Sequence, residues 1–122
     1  GGPCVAKRVA GCGSGTEYLA VTPEGELFPC HQFVGLDEFS MGNLTEGIKN
    51  TKKREEFNCC NVYSKSDCRS CWAKFYCSGG CAANAYNKHR DILSTYKIGC
   101  DLQRKRTECA IMLKVAEMEE NI

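Results

Sequence analysis

Long apolar runs are missing from this sequence. No stretch of its 122 residues approaches the roughly 20 apolar positions of a membrane-spanning helix, and the first residues carry no secretory signal. An excess of charge is missing as well. With 16 basic residues against 15 acidic ones, nothing argues electrostatically for nucleic acid or an anionic membrane as partner. No internal repeat is visible, and there is no glycine-rich nucleotide loop. At 122 residues the chain reads as one small domain, and it is expected in the cytoplasm. Its start, Gly1-Gly2-Pro3 without a methionine, reads as a processed or excised piece of something longer.

Cysteine is what the chain has in abundance. Eleven residues of 122, about 9 %, reach the level that suggests a disulfide scaffold in a short secreted protein. Three features point instead to a reducing compartment and to metal ligation. The number is odd, Cys59 and Cys60 are adjacent, and the spacing is knuckle-like. Residues 68–81 read C-R-S-C-W-A-K-F-Y-C-S-G-G-C, four thiols at C-x2-C-x5-C-x3-C. Thiolates are soft ligands, which narrows the candidates to zinc, copper(I) and iron–sulfur. A zinc ribbon is usually built from two C-x2-C pairs, and the longer gaps here suit it poorly. A structural zinc domain that presents a peptide-binding surface is the alternative of a different class.

The elements predict a small cysteine-rich α+β fold. Tyr18 to Thr22 and Leu27-Phe28 suit two strands, joined by the turn chemistry of Pro23-Glu24-Gly25-Glu26. This hairpin has Cys12 and Cys30 beyond its ends, in the pattern C-x12-G-x4-C. Residues 31–42 read as an irregular connection. Asn43-Leu44-Thr45-Glu46 has the form of a helix start, and the charged patch from Lys49 to Glu56 reads as a solvated helix face. Cys59 and Cys60 read as structural or adventitious thiols. Ala82 to Lys88 is predicted helical, followed by a polar link to Tyr96. Asp101 is predicted to cap a last helix from Leu102 towards Glu120. Cys109, Met112, Val115, Ala116 and Met118 fall on its apolar pattern, with Cys109 a buried small residue.

The cysteine skeleton from Cys12 to Cys100, C-x12-G-x4-C, a gap, C-x2-C-x5-C-x3-C, a gap and a last cysteine, resembles the SPASM domain of radical S-adenosylmethionine enzymes. The stretches Y-L-A-V-T-P-E-G-E-L-F-P-C-H-Q-F-V-G, C-W-A-K-F-Y-C-S-G-G-C-A-A-N and I-G-C-D-L-Q-R-K-R-T-E-C-A-I resemble the SCIFF (ranthipeptide) maturases. Those enzymes form thioether bridges in ribosomal precursor peptides (RiPPs). Anaerobic sulfatase-maturating enzymes share the skeleton and are the neighbouring alternative.

The resemblance implies one auxiliary-cluster domain over residues 1–122, with a hairpin at 12–30 and a cysteine knuckle at 68–100. It implies two [4Fe–4S] clusters. The first takes Cys12, Cys30 and Cys81, with either Cys4 or a substrate thiolate as the fourth ligand. The second takes Cys68, Cys71, Cys77 and Cys100. Gly11, Gly13, Gly79, Gly80 and Gly99 flank these ligands, where backbone N–H groups come closest to sulfur. Trp72, Phe75 and Tyr76 are expected to pack as a dry shell. His31 is expected as a hydrogen-bonded loop residue, and His89 has no partner. The C-x3-C-x2-C motif that holds the cofactor-cleaving cluster does not occur. S-adenosylmethionine and a third cluster are therefore expected on a radical barrel in cis or trans, and this chain alone is expected to be inactive. The partners so implied are a cysteine-rich precursor peptide and an electron carrier such as ferredoxin or flavodoxin, in an anaerobic bacterium. The clusters would position the substrate sulfur and accept the electron left over when the C–S bond forms.

Overall fold

A computed structural model of the chain describes residues 4–121, so the start read at Gly1-Gly2-Pro3 lies outside the described residues. The architecture is α+β. Strands β1 (Ala20–Val21) and β2 (Glu26–Phe28) form the predicted hairpin, with Ala20 opposite Phe28 and Val21 opposite Leu27. Its turn closes through Gly25 N–H on the Thr22 carbonyl at 2.9 Å and Glu26 N–H on Thr22 Oγ1 at 3.0 Å.

The sheet then continues where a loop and a helix start are predicted. β3 (Gly42–Asn43) and β4 (Gly47–Ile48) add a second hairpin, giving a four-stranded antiparallel meander in chain order. The cap-like signature at Asn43 is real but serves a turn. Asn43 Oδ1 accepts from the N–H groups of Thr45 and Glu46 at 3.0 and 2.8 Å. Such bonds open a helix or close a turn equally well, and Gly47, at φ +76°, sends the chain back. Helix α1 (Thr51–Asn58) begins only after Asn50, whose side chain accepts from Lys53 N–H at 3.0 Å. Most of its charged residues face solvent, as predicted, and Phe57 faces inward.

Phe57 meets the core that the hairpins carry. Two short 3₁₀ turns, His31–Phe33 and Asp37–Phe39, deliver Phe33 and Phe39 to the same place. The Phe33 ring lies 4.3 Å from that of Phe39 and meets Phe57 edge-on at 5.4 Å. Phe28, Ala83 and Ile92 complete the cluster. Edge-to-face pairs of this kind add about 0.5–1.5 kcal/mol each beyond their buried area.

Beyond the core come α2 (Ser66–Arg69), α3 (Lys74–Cys77), α4 (Ala82–His89) and α5 (Lys97–Glu120). The structure places α4 where it is predicted. The last helix begins at Lys97 rather than Leu102, so Asp101 is not its cap. Asp101 lies inside the helix and pairs with Lys97 Nζ at 2.8 Å and Arg104 Nη2 at 2.6 Å. Cations one turn away on both sides support a carboxylate in a helix interior. The apolar face predicted for α5 is not buried. Cys109, Met112, Val115 and Met118 are all exposed, because a helix of 24 residues, about 36 Å long, outreaches so small a core. No described helix is long and apolar enough to cross a membrane.

Candidate metal centre

The first thiol group forms where the start of the hairpin region folds onto its end. Between Cys12 and β1 the chain makes a tight loop in which the N–H groups of Thr16, Glu17 and Tyr18 all donate to the Gly13 carbonyl, at 2.8–3.0 Å. Gly15 N–H also donates to the Pro29 carbonyl at 3.0 Å, which draws the Cys12 side of the loop against Cys30. Cys81 arrives by a different route. Ser78, Gly79 and Gly80 follow one another in left-handed conformation (φ 63°, 95° and 77°), and this sharp reversal returns the chain to place Cys81 at the head of α4. Burial pushes the Cys30 thiol up, and the neighbouring Cys81 and Cys12 add to this; backbone N–H groups of Gln32 and Phe33 bonded to its sulfur work in the opposite direction. Gln32 Nε2 also donates to Cys81 Sγ at 3.7 Å. Cys12 and Cys81 are exposed and Cys30 is buried.

The second group is assembled from three helices. Cys68 lies in α2 and Cys71 just beyond it, Cys77 closes α3, and Cys100 lies in the first turn of α5. Burial pushes Cys68 up, and Cys100, Cys77 and Cys71 reinforce it against the opposing charge of Lys65. Cys100 is likewise pushed up by burial, with Cys77, Cys71 and Asp67 adding to the effect and Arg104 opposing it. Arg104 Nη1 donates to Cys71 Sγ at 3.9 Å. Each group is thus a set of thiols that sense one another, with hydrogen-bond donors aimed at sulfur. They do not meet at a point. Among the described residues no three Cys, His, Asp or Glu side chains come close enough to hold a single metal ion.

Next to the first group lies a cavity of about 500 Å³, whose walls include Cys12, Cys60, Lys65, Gly79 and Gly80. Cys60 is half-buried, and its thiol donates to the Ile92 carbonyl at 3.5 Å; burial pushes this thiol up, with Asp91 and Cys12 adding to the effect and Lys65 opposing it. Cys59 is exposed and donates to Glu55 Oε1 at 3.4 Å. Cys4 is exposed at the head of a 3₁₀ turn, Val5–Arg8, and is not among the cavity-lining residues. Of the three residues expected to form a dry aromatic shell only Phe75 is half-buried, edge-on to Tyr63 at 6.4 Å. Trp72 and Tyr76 are 51 % and 60 % exposed, since α3 is too short to be covered on its outer side. His31 and His89 are both exposed.

Three polar groups at these thiols were not singled out by the sequence pattern. Gln32 follows Cys30 by two residues, and Arg104 follows Cys100 by one helical turn. Extending α5 back to Lys97 would have flagged Arg104. Lys65 precedes Cys68 in a polar stretch, and nothing in the pattern marks it as buried.

The donor set fits an iron–sulfur group. All eleven cysteines carry free thiols, soft donors arranged in a set of three and a set of four, with backbone and side-chain N–H groups directed at their sulfurs. Residues 12–72 match the family model of SPASM, an iron–sulfur cluster-binding domain. Cys77, Cys81 and Cys100 follow the matched segment. No curated protein matches the chain.

Proposed function

The chain belongs to the SPASM family of iron–sulfur cluster-binding domains, and from that premise we propose that it carries two auxiliary [4Fe–4S] clusters for a radical S-adenosylmethionine enzyme that forms thioether bonds in a cysteine-rich precursor peptide. What supports the reading is the family match over residues 12–72 together with neighbouring thiols around Cys30 and around Cys68 and Cys100. Cys12, Cys30 and Cys81 would hold one cluster, and Cys68, Cys71, Cys77 and Cys100 the other. When bound, such groups accept and donate single electrons.

The residues of this chain do the rest. The N–H groups of Gln32 and Phe33 and the side chains of Gln32 and Arg104 stabilise anionic sulfur. Burial of Cys30, Cys68 and Cys100 makes the free thiols hold their protons, so ligation releases protons and ties folding to loading. The three-thiol group has exposed Cys12 and Cys81, so a substrate thiolate can approach it from solvent. That suits positioning of a precursor cysteine better than ligation by Cys4. The radical barrel, in cis or trans, and a ferredoxin- or flavodoxin-like electron carrier complete the proposed system in the cytoplasm of an anaerobe.

Iron and acid-labile sulfide measured on anaerobically reconstituted protein test this directly. About eight of each per chain are expected, with a brown colour bleached by dithionite. Cys68→Ala should remove about half of both, and Cys4→Ala should leave both unchanged. Stoichiometric zinc without sulfide, persisting after anaerobic reconstitution, would overturn the reading and leave a structural zinc module.

A further inference from the structure

Among the described residues, Lys65 is the only charged side chain that is buried, at 2 % exposure. Its Nζ donates to the Gly79 carbonyl at 2.9 Å. No described carboxylate lies within ion-pairing distance of it. A buried ammonium with three N–H donors and one neutral acceptor is costly unless anionic charge faces it. The Gly79 carbonyl that it holds lies midway between Cys77 of the second thiol group and Cys81 of the first, two residues from each. Lys65 lines the cavity that also contains Cys12 and Cys60, and it stands three residues ahead of Cys68, whose N–H donates to the Lys65 carbonyl at 3.0 Å.

We propose that Lys65 is a fixed countercation shared by the two thiol groups, which balances the negative charge they carry when loaded and sets the reduction potentials of both sites. The proposal rests on the cluster-binding reading above. Thiolate-bound clusters carry net negative charge that grows by one on reduction. A positive charge held at short range in a poorly solvated interior favours the more negative state and so raises the potential. Arg104 stands by the second group only and is paired with Asp101, so it cannot take this part for both.

Lys65 also ties down the Ser78–Gly80 reversal through Gly79, so a purely structural role is the rival. Lys65→Met keeps length and shape but removes the charge, and Lys65→Arg keeps the charge. Both would be reconstituted anaerobically, assayed for iron and sulfide, and titrated to obtain the two midpoint potentials. With Lys65→Met loaded like the parent, both midpoints are expected to fall by about 59 mV or more, a tenfold change in each one-electron equilibrium, while Lys65→Arg stays near the parent. Unmoved midpoints in a fully loaded Lys65→Met protein would overturn the proposal and leave the cluster reading intact, and movement of one midpoint alone would overturn the shared role. If Lys65→Met fails to load, loading and parental midpoints in Lys65→Arg support the charge requirement, and failure of both variants overturns it in favour of packing. An absence of iron and sulfide in the parent protein would remove the cluster reading itself.

Discussion

Gly42 is the residue at which the second hairpin is decided. Its φ is +141°, and a Cβ there would fall on the Gly47 carbonyl oxygen, with the Lys49 backbone nitrogen 3.0 Å away. Both obstacles are backbone, so no side-chain adjustment relieves them. Gly47 has a left-handed φ of +76° but open space around a would-be Cβ. The two glycines therefore separate conformational cost from steric cost. Gly47→Ala should cost about 1–2 kcal/mol, the ordinary penalty of an L-residue in that region. Gly42→Ala should cost about 3 kcal/mol or more and disrupt the β3–β4 pairing. Denaturant unfolding of the two variants side by side checks this, and equal losses would show that the close approach at Gly42 is readily relaxed. Neither effect is visible in the sequence, where both residues are merely glycines in a polar stretch.

At the scale of elements, α1 depends on its first residue. The helix is short and strongly charged, and its only buried residue is Phe57. Its start relies on Asn50, which accepts from Lys53 N–H and donates through Nδ2 to the Ser40 carbonyl at 3.3 Å. Asn50→Ala should cost about 1 kcal/mol, while Asn50→Asp, which keeps the acceptor, should cost less. Thermal unfolding of the pair distinguishes capping from the Ser40 bond, since equal losses would assign the effect to the latter. Asn50 and Asn43 also show how far local chemistry could be read. Both carry a cap signature, both make the expected side-chain bonds to backbone N–H, and only one starts a helix. The difference lies in Gly42 and Gly47, which let the segment fold back against β2, a long-range pairing that a window of residues does not contain. The first hairpin and α4 were legible because turn chemistry and local propensity agree there. The start of α5 was not, since Asp101 looks like a cap until its pairing with Lys97 and Arg104 is seen. The two thiol sets were implied by the family resemblance, whereas Lys65 and its burial came only from the packing of Gly79 above it.

For the molecule as a whole, the apolar material is unevenly placed. Phe28, Phe33, Phe39 and Phe57 knit the sheet, α1 and α4 into one cluster with Ala83 and Ile92. The segment from Cys59 to Cys81 has little of this. Its helices α2 and α3 are four residues each, its buried hydrophobic residues are Val62, Cys68 and Ala73, and it carries the left-handed run at Ser78–Gly80. Burial of two small side chains and one thiol is too little to offset about 1–2 kcal/mol of backbone entropy per ordered residue across such a stretch. Ligation through Cys68, Cys71, Cys77 and Cys81 supplies what is missing, because binding free energy in such regions is folding free energy. Removal of iron and sulfide by chelation under oxidising conditions, followed by thiol reduction, should therefore split the molecule into two regimes. Hydrogen exchange should remain slow at β2, β3 and the N–H groups around Phe33 and Phe57. Amides of residues 59–81 should exchange at close to the rate of an unfolded chain, with a partial loss of helical circular dichroism. Uniform protection in the apo protein would show that this segment folds on side-chain packing alone. In that case the thiols would be arranged before any metal arrives, and Lys65 would be buried in the apo protein without the anionic charge that we assign to it.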